Sequence, residues 1–164
     1  MNEILELIRT RLLNFQSADS SRPTIAELVG ASGGSYSGSD GQLFLDRAPS
    51  DLDPDTMWIV MRLLDQRGAP IDGGVVDNAV AEVEAYGHGP QFADDVLMII
   101  DLAEEAWLYW MHYTDDIIIA RKPYGRITVP YSNAQNPGDR DLNRTRILLP
   151  FLVAPQYLTQ YLNS

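Results

Sequence analysis

Asp51, Asp53 and Asp55 stand at alternate positions, as do the first three ligands of a calcium-binding helix–loop–helix motif, where close carboxylates chelate a hard cation. That motif next needs a glycine for its sharp turn and, later, a closing glutamate. Thr56 and Arg62 occupy those places, so the run reads as a solvated acidic turn before a strand. His88 and His112 are the only imidazoles. His88 lies in the turn sequence Tyr86-Gly87-His88-Gly89-Pro90. His112 ends a long helical pattern, where a partly positive ring suits the helix dipole. Neither has a second ligand at metal spacing on the same helix. Asp94-Asp95, Glu104-Glu105 and Asp115-Asp116 have the composition of acid/base dyads, but adjacent residues on a helix do not face each other.

The remaining reactive patterns fail in the same way. There is no cysteine, hence no thiolate, no disulfide and no cysteine-based zinc site. The glycine- and serine-rich stretch 30–41 lacks Gly-Lys-Ser/Thr and is no phosphate cradle; it reads as a flexible connector, the alternative being an arm that orders on a partner. No Gly-x-Ser-x-Gly elbow is present. Lys122, the sole lysine, has no context that marks a Schiff-base former, and the Asn143-Arg144-Thr145 triplet has no secretion signal to make glycosylation usable. The sequence therefore predicts no catalytic residue, no cofactor and no metal. An enzyme built from scattered carboxylates would need a cleft holding acids with raised pKa values.

Charge is segregated along the chain. Residues 40–116 carry seventeen acids against three arginines, a net of −14, and residues 117–164 carry six bases against two acids, a net of +4. Opposite charge on two parts of one surface suits head-to-tail contacts between copies, which close into a ring when the rotation allows. The overall charge of −11 argues against a general nucleic-acid binder. With 164 residues and 45% apolar composition, the chain fits one domain with its own core. The first residues carry acids where a signal peptide needs bases. No apolar run is long enough to cross a bilayer.

Periodicity predicts the elements. Ile4, Ile8, Leu12 and Phe15, with Leu5 beside them, make one stripe of a helix over 2–15. Thr24 and Glu27 match a capping box for a short turn ending at Gly30. Extended segments follow at 42–46, 56–66 and 75–86. In the last of these, Ala79, Ala81, Val83 and Ala85 alternate with Glu82, Glu84 and Tyr86. Segment 56–66 also fits a helix capped by Asp55, but the Gly/Pro-rich connection and the alternating partner favour a strand hairpin. Phe92, Val96, Ile99, Ala103, Trp107 and Trp110 stripe a long helix over 91–113, with Asp94, Asp101, Glu105 and His112 opposite. Segments 116–121 and 125–129 read as a second hairpin, 131–143 as a loop, and 146–153 as a final strand whose Pro150 points to an edge or a bulge. The tail, 155–164, reads as a short helix or a cover for the core. The order gives an α+β layer: a mixed, mostly antiparallel sheet packed by an N-terminal helix and one long amphipathic helix.

In that order the chain resembles the tail terminator (tail completion, minor-tail-protein-U-like) family of phages with long, non-contractile tails. The resemblance is carried by the helix Ile4-Leu5-Glu6-Leu7-Ile8-Arg9-Thr10-Arg11-Leu12-Leu13 and the short Ile25-Ala26-Glu27-Leu28-Val29. Gln42-Leu43-Phe44-Leu45-Asp46-Arg47-Ala48-Pro49 and Met57-Trp58-Ile59-Val60-Met61-Arg62 follow as strands. Ala79 to Tyr86, the helix from Phe92 to Trp110 and the closing Arg144 to Val153 complete it. It implies a homo-oligomeric, hexameric ring in the virion, at the head-proximal end of the tail, assembled in the host bacterial cytoplasm. Such a ring sits on the tail tube protein, stops tube polymerisation and offers a surface to the head–tail connector. DNA would pass through the lumen without specific binding. Eleven of the twelve basic residues are arginine, the side chain better suited to fork-like interface pairs.

The alternative is a small acidic cytosolic immunity protein that blocks a basic toxin, since acidic patches steer toward basic partners. For the ring, the charge pattern nominates Arg121, Arg126, Arg140, Arg144 and Arg146 against Asp94, Asp95, Asp101 and Glu105 as subunit contacts. Read this way, reversing charge at Arg144 and Arg146 should break the ring and leave the monomer folded.

Overall fold

Each helix forms where the apolar spacing demands it. The computed structural model describes residues 2–30, 43–48, 56–71, 74–113, 118–129 and 142–153. Helix α1 (Asn2–Asn14) buries Ile4, Leu5, Ile8, Leu12 and Leu13. Arg9 is also fully buried there, and its Nε donates to the Leu43 carbonyl at 3.1 Å, tying the helix to the first strand. Helix α2 (Ile25–Val29) starts as the capping pattern requires: Glu27 N–H donates to Thr24 Oγ1 at 3.2 Å. It ends at Gly30, whose left-handed conformation (φ 68°) lets its N–H reach the Ala26 carbonyl. A 3₁₀ turn (Pro90–Phe92) leads into α3 (Ala93–His112), which buries Val96, Ile99, Ala103 and Trp107 on one side and sets Asp94 and His112 in solvent on the other.

Among the described residues six strands form one sheet: β1 (Leu43–Leu45), β2 (Met57–Ile71), β3 (Gly74–His88), β4 (Ile118–Ala120), β5 (Tyr124–Val129) and β6 (Leu142–Val153). Their order is β1-β2-β3-β6-β4, with β5 also on β6. Of the pairings between these strands, only β1–β2 is parallel. Segment 56–66 is thus a strand, and it runs on to Ile71 opposite Gly74. The inner face, with Ile59, Met61, Ala81, Val83, Ile147, Leu149 and Phe151, shares one apolar cluster with all three helices. Small residues on β3 let α3 approach closely. Gly87 allows the same at the strand end, where an added Cβ would stand 2.7 Å from Phe92 Cβ.

The described parts of segments 116–121 and 125–129 do not pair with each other. Both lie antiparallel on β6, so β4 and β5 are two halves of one interrupted strand. The interruption falls at residues 121–123, beside Pro150. Proline has no N–H to give a ladder; of the edge or bulge that the sequence pointed to, the edge is not found, because Pro150 occupies an inner strand where its missing donor meets an irregularity in the partner strand. Its carbonyl is fully used, accepting from Arg121 N–H at 2.9 Å and from Trp107 Nε1 at 2.9 Å. Strand β6 also begins at Leu142, inside the stretch read as loop. Its first residues are polar because Asn143 Nδ2 donates to the carbonyls of Gly87 (3.0 Å) and Gly89 (2.6 Å), pinning the turn that starts α3. All of the expected connector 30–41 after Gly30, most of the loop 131–143, the tail 155–164, and Asp51, Asp53 and Asp55 lie outside the described residues.

Trp107 joins the layers. It is fully buried, meets Trp110 and Phe151 edge-on, and holds the Pro150 carbonyl. Trp107→Ala should lower unfolding free energy by about 3–5 kcal/mol, the range for deleting a buried aromatic, as read from urea melts. A loss under 1 kcal/mol would show that α3 is not anchored there.

Candidate interaction surface on the outer face of the sheet

Alternation sends every second residue of β2, β3 and β6 away from the helices. Register then aligns them: Arg62 stands opposite Glu82, Val60 opposite Glu84, and Trp58 opposite Tyr86. On the other side of β3, Arg146 faces Glu84 and Arg144 faces Tyr86. The outcome is a charged and aromatic cluster in the middle of the sheet. Glu84 is 2% exposed and Glu82 6%. Buried carboxylates are costly unless paired and hydrogen-bonded, and both are. Arg62 Nη1 donates to Glu82 Oε1 at 2.9 Å and to Glu84 Oε1 at 3.3 Å. Arg144 Nε donates to Glu84 Oε2 at 2.8 Å, and the Tyr86 hydroxyl donates to the same oxygen. Arg146 Nη1 stands 3.5 Å from Glu82 Oε2. Arg62 is aimed by its Nε, which donates to the Asp46 carbonyl at 3.0 Å. Asp46 itself takes φ 78° at the end of β1, where its N–H meets the Met61 carbonyl.

Aromatic rings extend the cluster. Trp58 stacks on Tyr86 (centroids 5.2 Å apart, 7° between planes) and meets His88 at 5.7 Å. The Arg144 guanidinium lies 5.7 Å from the Tyr86 ring centre, within cation–π range. Strand β5 adds Tyr124 and Ile127, opposite Leu148 and Arg146, both about half exposed. A one-residue bulge at Gly125 (φ 68°) keeps these two on the outer face and leaves Arg126 turned toward α3.

Protonation states follow from this packing. Burial pushes the Glu84 carboxyl up, but the hydrogen bonds from Tyr86 and Arg144 outweigh it and hold the group below its ordinary 4.5. Burial, and then the bond to Glu84, push the Tyr86 phenol up to about 12. A carboxylate locked ionised and a phenol locked neutral are both poorly placed to exchange protons near neutral pH. The arrangement is built to hold charge in fixed positions and to present rings and guanidiniums.

The nominated subunit contacts are distributed unevenly. Arg144 and Arg146 belong to the cluster, but they pair with Glu84 and Glu82 of their own chain. Charge reversal there would set acids beside buried acids, so it would disturb the monomer as well as any ring. Arg126 and Asp101 do meet, within one chain, at 2.6 Å, and Glu104 joins them at 3.4 Å. Glu105 accepts from Ser17 Oγ and Ala18 N–H, fastening the segment after α1 to α3. Asp94 is exposed and Asp95 half-buried in the first turn of α3, where the helix dipole favours acids. Arg121 is exposed. Arg140 lies outside the described residues. The sequence reading missed Arg62, Glu82, Glu84, Tyr86 and Trp58 as a group. Their signal was the polar side of the 79–86 alternation. Among the described residues no three metal-ligating side chains gather.

Compared with known proteins, the chain matches no protein-family model, and a search of the curated proteins finds no match.

Two pH effects follow. Below pH 10 both folded and unfolded chains keep the Tyr86 proton. Between pH 10 and about 12 only the folded chain does, so rising pH costs stability in that window. Glu84 acts in the opposite sense: its contribution is full above pH 4.5 and is lost as pH falls through the lower folded value. Tyrosinate absorbance should show one titration near pH 12 that disappears in Tyr86→Phe. Glu84→Gln should flatten the acid limb of a pH–stability curve. Unchanged curves in both variants would refute the network.

Proposed function

We propose that this protein is a structural, non-catalytic virion subunit: a tail terminator that forms a ring on the end of a phage tail tube. The ring stops tube polymerisation and provides the surface for head–tail joining. The observation that carries this reading is the outer sheet face. It presents Trp58, Tyr86, Arg62, Arg144 and Arg146 with half-exposed Tyr124 and Ile127 beside them. Tryptophan, tyrosine and arginine are the residues that dominate the energetics of protein interfaces, and a sheet with helices on one face has the other free for a partner. The α+β order of helices and strands agrees with the resemblance noted from the sequence.

The driving force differs from the one that charge blocks imply. Arg62, Arg126, Arg144 and Arg146 already meet acids of their own chain. Association between copies then rests on ring stacking and apolar area, with salt a secondary influence. The surplus of −11 remains, and an acidic ring would let DNA slide past its wall by like-charge repulsion.

One observation favours a second reading. Internal pairing uses up much of the basic zone and leaves acids such as exposed Asp94 on the helical side. An acidic inhibitor of a basic toxin would use such a surface.

Light scattering separates them. The expected result is a mass near six times the 18.3 kDa chain, alone or after addition of purified tail tube protein, that persists at high salt. A monomer under every condition, indifferent to the tube, would overturn the terminator reading and favour the inhibitor.

A further inference from the structure

The two layers of the fold carry surfaces that complement each other. On the sheet, three guanidiniums (Arg62, Arg144, Arg146) stand over two carboxylates (Glu82, Glu84), a local surplus of one positive charge in a chain of net −11. Arg146 Nε is buried and has no hydrogen-bond partner. That donor lies under the surface, but 42% of the Arg144 side chain and 30% of Arg146 remain exposed to an outside acceptor. Directly across from Arg146 lies Ile127, 46% exposed.

On the helical layer, the outward stripe of α3 has the opposite character. Asp94, Leu97, Asp101 and Leu108 follow one another at helical spacing, and Leu97 and Leu108 are 37% and 39% exposed. Asp101 is drawn to Arg126, whereas Asp94 stands exposed at the helix start. The lengths agree as well. From Asp94 to Leu108 the helix spans about 21 Å at 1.5 Å per residue, and from Arg144 to Leu152 the strand spans about 26 Å at 3.3 Å per residue.

We propose that the outward face of α3 of one copy packs on the outer sheet face of the next. Asp94 brings a carboxylate to the Arg144–Arg146 pair, and Leu97 and Leu108 cover Ile127 and its neighbours. This rests on the self-assembling reading above and names the contact that builds the ring. The contact is heterologous: each copy offers its sheet to one neighbour and its helix to the other, as ring closure requires. It repeats between copies the helix-on-sheet packing used within each copy.

The chain has no cysteine, so introduced thiols report the contact cleanly. The double variant Leu97→Cys/Ile127→Cys, assembled and treated with a short bismaleimide, should give a ladder of linked subunits on a denaturing gel. Each single variant should give no ladder. Asp94→Arg, an exposed change that leaves the fold intact by circular dichroism, should raise the concentration needed for assembly roughly tenfold, as loss of a close interfacial charge pair does. Rings that form normally in Asp94→Arg and give no ladder in the double variant would overturn this contact and leave the ring reading standing. A chain that stays monomeric at every concentration, with or without tail tube protein, would overturn both.

Discussion

Strand β6 lies against β3 with Ile147 opposite Val83, and that register determines both faces of the sheet. Inward, it sets Leu149 and Phe151 beside Ala81 and Ala79, small residues that leave room for Trp107. Outward, it brings Arg144 and Arg146 alongside Tyr86 and Glu84. A slip of one residue would exchange the faces, placing two arginines in the apolar core and Ile147 in the charged cluster. The penalty on both sides is large, so the register is strongly specified. The same strand holds β4 and β5 on its far side and, through Asn143, the turn that launches α3. Every element C-terminal to β3 therefore takes its place from this one pairing.

The buried carboxylates raise the question of why acids occupy such positions. An ion pair taken out of water returns little net stability, and apolar replacements of similar shape are often as stable. Removing one partner is different, because the group left behind stays buried and unpaired. Glu84 illustrates this: it is buried, whereas Arg62 and Arg144 keep over a third of their side chains in water. The solvated arginines can adjust, but the carboxylate cannot. The cluster thus acts mainly as a constraint. It fixes two strand registers at once and holds the guanidiniums and the Trp58–Tyr86 stack rigid, which lowers the entropic cost of presenting them to a partner.

Much of the fold could be read from periodicity. The stripe from Ile4 to Leu12, the alternation from Ala79 to Tyr86 and the stripe from Val96 to Trp107 each reflect one buried face, and burial writes itself into the spacing. Where the physics is non-local, the sequence is silent or misleading. Lys122-Pro123-Tyr124 looks like the turn of a hairpin, yet residues 121–123 form a break in a strand whose partner, β6, lies some distance along the chain. Asn143 looks like loop because it is polar, but its amide holds carbonyls at the turn that starts α3, and Arg144 and Thr145 after it meet the Glu84 carboxylate and the Thr128 hydroxyl. The candidate surface was half visible. Glu82, Glu84 and Tyr86 marked the polar side of a strand, and the ordinary expectation for that side is water. Their burial depends on Arg62 and Arg144, supplied from 20 and 60 residues away.

The same non-locality changes what the charge blocks mean. A linear count sets a basic C-terminal third against an acidic middle and points to attraction between copies. Folding lays β6 on β3, so the two blocks meet inside one chain first. An intramolecular pair forms in a geometry already fixed by the sheet, whereas a pair between copies must also overcome the loss of translational and rotational freedom. The internal pairs therefore win, and only the residue of charge remains for partners: one excess guanidinium on the sheet and exposed acid on α3. A surplus that small cannot drive assembly through solvent that screens exposed charges beyond about 8–10 Å. It can choose orientation, by favouring helix against sheet over sheet against sheet. Affinity then has to come from Trp58, Tyr124, Ile127 and the exposed leucines of α3, at roughly 25 cal/mol for each Å² of apolar surface taken out of water.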